Sequence, residues 1–253
     1  MDLRGKNVMR STSRRGVTTA AGVALAGVTL AMLPGSAQAD DSWTSTVRIA
    51  KYTAYLASQS AQGDTQAEET AQGFAALSKA DKARFLDLIE DHAVMRKVFD
   101  PAEAPSALVG SSQQVLAGGD VVVQHESLSG VDEASPHSSV ALRASGYRDM
   151  WASYSITDRV MGVKVSRVTV RTNYQVKGKD TTKVYPGSAT HSLSVPGCSF
   201  SHSPVKEWIS SAPADNAQSE TIWSASCWGS EWDKRERVWA DYRGFVGGYL
   251  KDE

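Results

Sequence analysis

The segment 168–177 constrains this chain most. Val168, Val170, Thr172, Tyr174 and Val176 alternate there with Thr169, Arg171, Asn173, Gln175 and Lys177. Successive side chains of a strand leave on opposite faces, so a period of two describes an antiparallel strand with one buried face and one wet face. Met161, Val163 and Val165 have the opposite parity, which predicts a bulge or turn near Ser166-Arg167. Lys177-Gly178-Lys179-Asp180 reads as a turn, 181–185 as the returning strand, and Pro186-Gly187 and Pro196-Gly197 as further turns. Strands follow at 189–195, 221–228 and 235–242. Many short strands at this spacing predict a β-sandwich or barrel over 140–253.

The chain ahead of it reads differently. Trp43, Val47, Ile49, Tyr52 and Leu56 recur every three to four residues in a stretch free of Gly and Pro, the pattern of an amphipathic helix. Thr65-Gln66-Ala67-Glu68 has capping-box form ahead of Phe74 and Leu77. Ser78-Lys79-Ala80-Asp81 opens a further helix carrying Phe85, Leu86, Ile89, Ala93 and Val98, which Asp100-Pro101 ends. These helices are short and must pack on something. A short strand is expected at 121–125. Ser129 to Ser139, with Gly130 and Pro136, reads as a linker. The fold class is therefore α+β, with a mainly helical region at 40–128, a linker at 129–139 and a mainly antiparallel β region at 140–253.

The first 39 residues read as an export signal. A basic start with Arg4, Lys6, Arg10, Arg14 and Arg15 precedes an apolar run from Ala20 to Leu33, broken by Pro34-Gly35. That run is shorter than the ~20 residues of a bilayer span. Ala37-Gln38-Ala39 supplies the small-x-small pattern read by signal peptidase, so the mature chain starts near Asp40. Ser13-Arg14-Arg15-Gly16-Val17 resembles the twin-arginine signal of proteins exported already folded. The expected partners at this stage are the export machinery and signal peptidase, with no stable membrane insertion after cleavage.

Cys198 and Cys227 are the two cysteines of the chain, and in an oxidising compartment they make one disulfide. The whole chain has 27 basic and 28 acidic residues; cleavage removes five basic and one acidic, leaving −5. No region is basic enough to hold a phosphate backbone, so nucleic acid is not an expected partner.

Catalytic signatures are missing. The five histidines, His92, His125, His137, His191 and His202, form no HExxH or similar metal pair, and the chain has no GxSxG elbow, SxxK, P-loop or GxGxxG. No catalytic residue, metal or cofactor is assigned. His191 and His202 flank Cys198 and could approach in space. The most unusual feature is aromatic density: Trp223, Trp228, Trp232, Trp239, Tyr242, Phe245 and Tyr249, interleaved with Lys234-Arg235-Glu236-Arg237. On a continuous strand Trp228 and Trp232 share one face and Trp223 and Trp239 the other, so one face is exposed or covered by the helical part. Trp223, Trp228, Trp232, Trp239 and Tyr242 are the candidate binding residues.

This layout of twin-arginine-like signal, short helical part and Trp-rich β region resembles secreted actinobacterial proteins of unknown function. The resemblance implies an extracellular role and transfers no catalytic residue. The expected function is non-enzymatic recognition of a cell-surface glycan or protein through exposed aromatics. A secreted hydrolase pairing His191 or His202 with a carboxylate and a nucleophile is the alternative, followed by an antibacterial protein. Against a membrane-lytic mode stands the acidity of residues 40–128.

Overall fold

The computed structural model describes residues 37–99, 110–133 and 146–253, with side chains from Thr44 onward. The signal residues Arg14 and Arg15, His137, and most of the expected linker lie outside the described residues, as does the side chain of Trp43. Ala37 and Ala39 fall within the backbone of the first helix.

The described residues form an α+β fold of four helices followed by ten strands in two sheets. Helices α1 (Ala37–Ala61), α2 (Thr65–Ala76), α3 (Lys79–Glu90) and α4 (His92–Phe99) come first. The cap of α2 sits one residue ahead of the expected box: the Asp64 carboxylate accepts from the amides of Gln66 at 2.9 Å and Ala67 at 3.1 Å. Ser78 caps α3 through the Asp81 amide at 3.1 Å, as its sequence predicts. The single helix expected over 78–98 is two, because the Asp91 carboxylate captures the amides of Ala93 and Val94 and restarts the helix.

Sheet A has the order β1 (Ser111–Leu116), β2 (Val121–Val131), β3 (Tyr147–Val160), β4 (Val163–Lys177), β5 (Asp180–Leu193). Sheet B has the order β10 (Gly244–Asp252), β9 (Ser230–Asp241), β8 (Ala217–Cys227), β6 (Cys198–His202), with β7 (Lys206–Ile209) also on β8. The paired strands are antiparallel, and the sheets stack as a sandwich. The helical region ends at Phe99, because β1 and β2 belong to sheet A. Residues 129–131, expected in the linker, continue β2 and pair with β3. The small residues Ser127, Ser129 and Gly130 look like loop residues but pair in register with β3.

Two other expectations shift in detail. Asp158 pairs with Ser166 and Arg159 with Lys164, so the parity change is a bulge at Val165, next to the expected position. Pro186-Gly187 is also a bulge, opposite Thr172, and not a turn. Proline is tolerated there because β5 is an edge strand and no ladder amide is needed.

The helices cap one end of the sandwich. Tyr52, Leu56, Phe74, Phe85, Leu86, Ile89, Met95 and Val98 form one buried cluster with Val121, Val160, Val163, Val165 and Val195. The Tyr52 hydroxyl donates to the Ser194 carbonyl at 2.9 Å, and Thr70 Oγ1 to the Lys164 carbonyl at 2.8 Å. A second cluster between the sheets contains Val123, Tyr154, Ile156, Val170, Tyr174, Trp223, Val238, Phe245 and Leu250. The Cys198–Cys227 disulfide is formed. It joins directly opposite residues of β6 and β8 and closes a loop of sequence separation 29. Loop-closure entropy gives it about 3.5 kcal/mol of stabilisation.

Candidate functional site

The aromatic cluster of the sequence separates into four places once the strands pair. Trp223 lies inside, 4% exposed, with its indole N–H donating to Glu236 Oε2 at 2.6 Å. Trp232 also faces inward and packs on Phe99 of α4, ring centroids 5.9 Å apart. Trp228 does not share a strand face with Trp232: Cys227 pairs with Ser230, leaving Trp228-Gly229 as a two-residue hairpin loop. Both residues have positive φ, 49° and 82°, the backbone of a type I′ turn. There the Trp228 indole stacks on His92 at 4.2 Å and 9°. Tyr242 sits at the opposite end of the sandwich, against the second core cluster and beneath the Arg243 guanidinium.

Trp239 alone of the five lies on the outer face of sheet B. Strand β9 turns Trp232, Lys234, Glu236 and Val238 inward and Arg235, Arg237 and Trp239 outward, so the Lys-Arg-Glu-Arg run is divided between two faces. In register with Trp239 are Gln218 on β8 and Gly247 on β10, and Trp208 on β7 stands opposite Gln218. The next row is Lys206, Glu220, Arg237 and Tyr249. The Trp239 indole lies across Gly247, where a Cβ would overlap its six-membered ring. Its centroid is 5.9 Å from that of Tyr249. The Arg237 guanidinium sits 5.0 Å from the Trp208 centroid and 5.4 Å from that of Tyr249, bridging the rings by cation–π contact. Glu220 holds that guanidinium in place, accepting from Arg237 Nε at 2.7 Å. Arg235 is held in turn by Glu253 at 2.7 Å. The result is a fixed, partly exposed set of three aromatic rings among ionised groups. Trp208 was not legible as part of it, since four residues between loops give too short an alternation to assign a face.

The polar interior is of another kind. Burial pushes the Glu236 carboxyl up to about 8, against the opposing hydrogen bonds from Trp223 and from the backbone of Val170. Burial likewise pushes Asp158 up to about 7, against its bond from Ser166, and its Oδ1 is unpartnered. Asp158 and Lys234 border an inter-sheet cavity of about 40 Å³, with Phe99, Phe200, Trp223 and Trp232. This volume holds a water or two and no organic ligand.

His191 and His202 do approach, with ring centroids 6.1 Å apart and both rings edge-on to Trp223. His202 Nδ1 is 2.8 Å from the Ser203 carbonyl oxygen, and burial together with His202 holds His191 below the usual histidine range. Among the described residues neither histidine hydrogen-bonds a carboxylate or a hydroxyl, and the neighbouring Cys198 sulfur is in the disulfide. His125 is inside, Nδ1 2.8 Å from the Tyr154 hydroxyl, and burial pushes it down. Among the described residues no group of three or more His, Cys, Asp or Glu is placed to hold a metal ion. No protein-family model, curated protein or solved structure matches this chain.

Proposed function

We propose that this is an exported binding protein that recognises a cell-surface glycan on the outer face of sheet B. The observation that carries the reading is the set Trp208, Trp239 and Tyr249, held in two adjacent rows and bridged by Arg237. Ring faces and edges contact the C–H surfaces of sugars, while Arg235, Arg237, Glu220, Gln218 and Lys251 supply donors and acceptors for hydroxyls. A protein partner fits less well. The cores of protein interfaces are depleted of charge, whereas charge here is interleaved with the rings. Export is supported by the twin-arginine-like motif, by Ala37-Gln38-Ala39, and by a disulfide compatible with an oxidising compartment. Among the described residues no helix is long and apolar enough to cross a membrane.

Retention on insoluble chitin, cellulose and peptidoglycan tests the binding. The wild-type protein should be retained on at least one polymer. Trp239→Ala and Trp208→Ala should each weaken retention about thirtyfold, the scale of a 2 kcal/mol hot spot. Trp228→Ala, a substitution at the helix-facing turn, should leave retention intact. A wild-type protein that passes every polymer unretained overturns the glycan reading. Export is checked separately: replacing Arg14 and Arg15 with Lys should keep the protein inside the cell. N-terminal sequencing of the wild-type extracellular form should begin at Asp40; undiminished export of the Lys variant would rule out the twin-arginine route.

A further inference from the structure

At the sandwich end opposite the helices, three connections converge: the β4–β5 turn, the loop from β7 to β8 and the β9–β10 turn. They enclose an open pocket of about 430 Å³ whose polar lining includes Lys179, Asp180, Asp215, Asn216, Tyr242 and Arg243. That volume lies within the range of roughly 300–1,000 Å³ typical of small-molecule sites. The walls are fixed from behind. Asp241 Oδ2 accepts from Arg243 Nη2 at 2.6 Å and Nε at 3.0 Å, and its Oδ1 from the Arg243 amide at 2.8 Å. The Ser210 hydroxyl accepts from the Asn216 amide at 2.8 Å, closing the β7–β8 loop. Asp241 is nearly buried, while the Arg243 side chain is 67% exposed and keeps N–H groups open to a ligand.

We infer that this pocket is a sugar subsite that anchors one unit of an oligosaccharide whose following units run along Trp239 and Trp208. The inference rests on the glycan reading of the sheet B face and extends it to a ligand with a defined chain direction. Three observations carry it. The β8–β9 ladder ends at the Ala217–Ala240 pair, and Asn216 and Asp241 lie just beyond it, two residues on from Gln218 and Trp239 and about 7 Å farther along the chain, so the pocket adjoins the end of the aromatic face. The lining mixes acceptors (Asp180, Asp215), donors (Lys179, Arg243), an amide that does both (Asn216) and a phenol ring (Tyr242). Hydroxyls, each donor and acceptor at once, use all of them. The charge balance disfavours other small ligands: an anion would meet Asp180 and Asp215, and a divalent cation would meet Lys179 and Arg243. Val246, the extra residue of a β-bulge in β10, adds an apolar wall for the sugar ring.

Calorimetric titration with N-acetylglucosamine, glucose and their β-1,4-linked oligomers of increasing length, backed by a printed glycan array, tests the inference beside polymer retention. Affinity should rise with chain length until pocket and rings are both occupied. Asn216→Ala and Asp215→Asn should each lower oligomer affinity about tenfold, the loss of one good hydrogen bond. Asn keeps the left-handed backbone of position 215 accessible, so the second variant folds even if the first does not. If Trp239→Ala abolishes polymer retention while both pocket variants bind oligomers like wild type, the subsite is overturned and the glycan reading stands. If soluble sugars bind and Asn216→Ala weakens that binding about tenfold, but no polymer is retained, the pocket stands and the aromatic face is overturned. Absence of both kinds of binding overturns both.

Discussion

The unfolding free energy of this protein will fall as pH is raised from 5 to 9, the reverse of the usual carboxylate contribution. Glu236 is pushed from 4.5 to about 8 and Asp158 from 3.8 to about 7, both chiefly by burial. In the folded state Glu236 keeps its proton to about pH 8 and Asp158 to about pH 7, whereas in the unfolded chain each loses it near its ordinary value. The folded state therefore binds more protons across this interval, and stability declines as pH rises. The contribution is fully present below about pH 4 and lost once pH passes the folded values. A tenfold change in proton affinity is worth about 1.4 kcal/mol, and after relaxation and water entry about 3 kcal/mol per group is expected. His125 and His191, lowered by burial, act in the opposite sense but only up to about pH 6.5. Urea unfolding at pH 7 and 9 isolates the acids, and Glu236→Gln separates one from the other. Glutamine keeps an acceptor for the Trp223 N–H and has no proton to lose, so this variant should be the more stable one at pH 9 and show a flatter profile. A wild-type stability that is level or rising from pH 7 to 9 would sink the assignment.

Trp223→Ala should cost about 4 kcal/mol. The indole is 4% exposed between the sheets, and its N–H donates to the buried Glu236 carboxyl. Truncation opens a cavity and takes away that carboxyl's side-chain donor. Trp223→Phe divides the two contributions: it keeps most of the volume, loses the N–H and should cost about 2 kcal/mol. In a Glu236→Gln background both costs should change, because the two residues share one hydrogen bond. Folded Trp223→Phe should be retained on polymer like wild type. A loss under about 1 kcal/mol for Trp223→Ala would contradict the buried hydrogen bond, and lost retention in folded Trp223→Phe would move this residue back into the binding site.

The legible part of the fold was local. Alternation over 168–177 placed β4 and its buried side, and the parity change at 161–165 located the Val165 bulge within about a residue, because the side-chain period of a strand admits no other way to keep valines inside. Ser78 marked the start of α3 for the same reason: cap chemistry acts over three residues. The Asp91 break was missed because an apolar stripe continues across it. Of the five candidate aromatics, Trp239 lies on the outer face of sheet B and Tyr242 lines the loop-end pocket; Trp223 is a core residue, Trp232 is partly buried against the helix-side core, and Trp228 is a turn residue packed on His92. Parity along one segment cannot distinguish these roles. It assigns relative sides only within a continuous strand, and the hairpin at Trp228-Gly229 resets the count.

By itself, the order of residues determined the α+β class, the faces of β4 and the pairing of the two cysteines, since each follows from periodicity or elimination along the chain. Only tertiary structure decided which aromatics meet solvent. Trp208, Trp239 and Tyr249 come from three strands joined through the register of β7, β8, β9 and β10. Asp180, Asn216 and Tyr242 come from three connections that meet only because the strands of both sheets end on one side. Distances of this kind are set by long-range pairing and sheet stacking, whose energies are spread over many contacts and leave no mark at any one position.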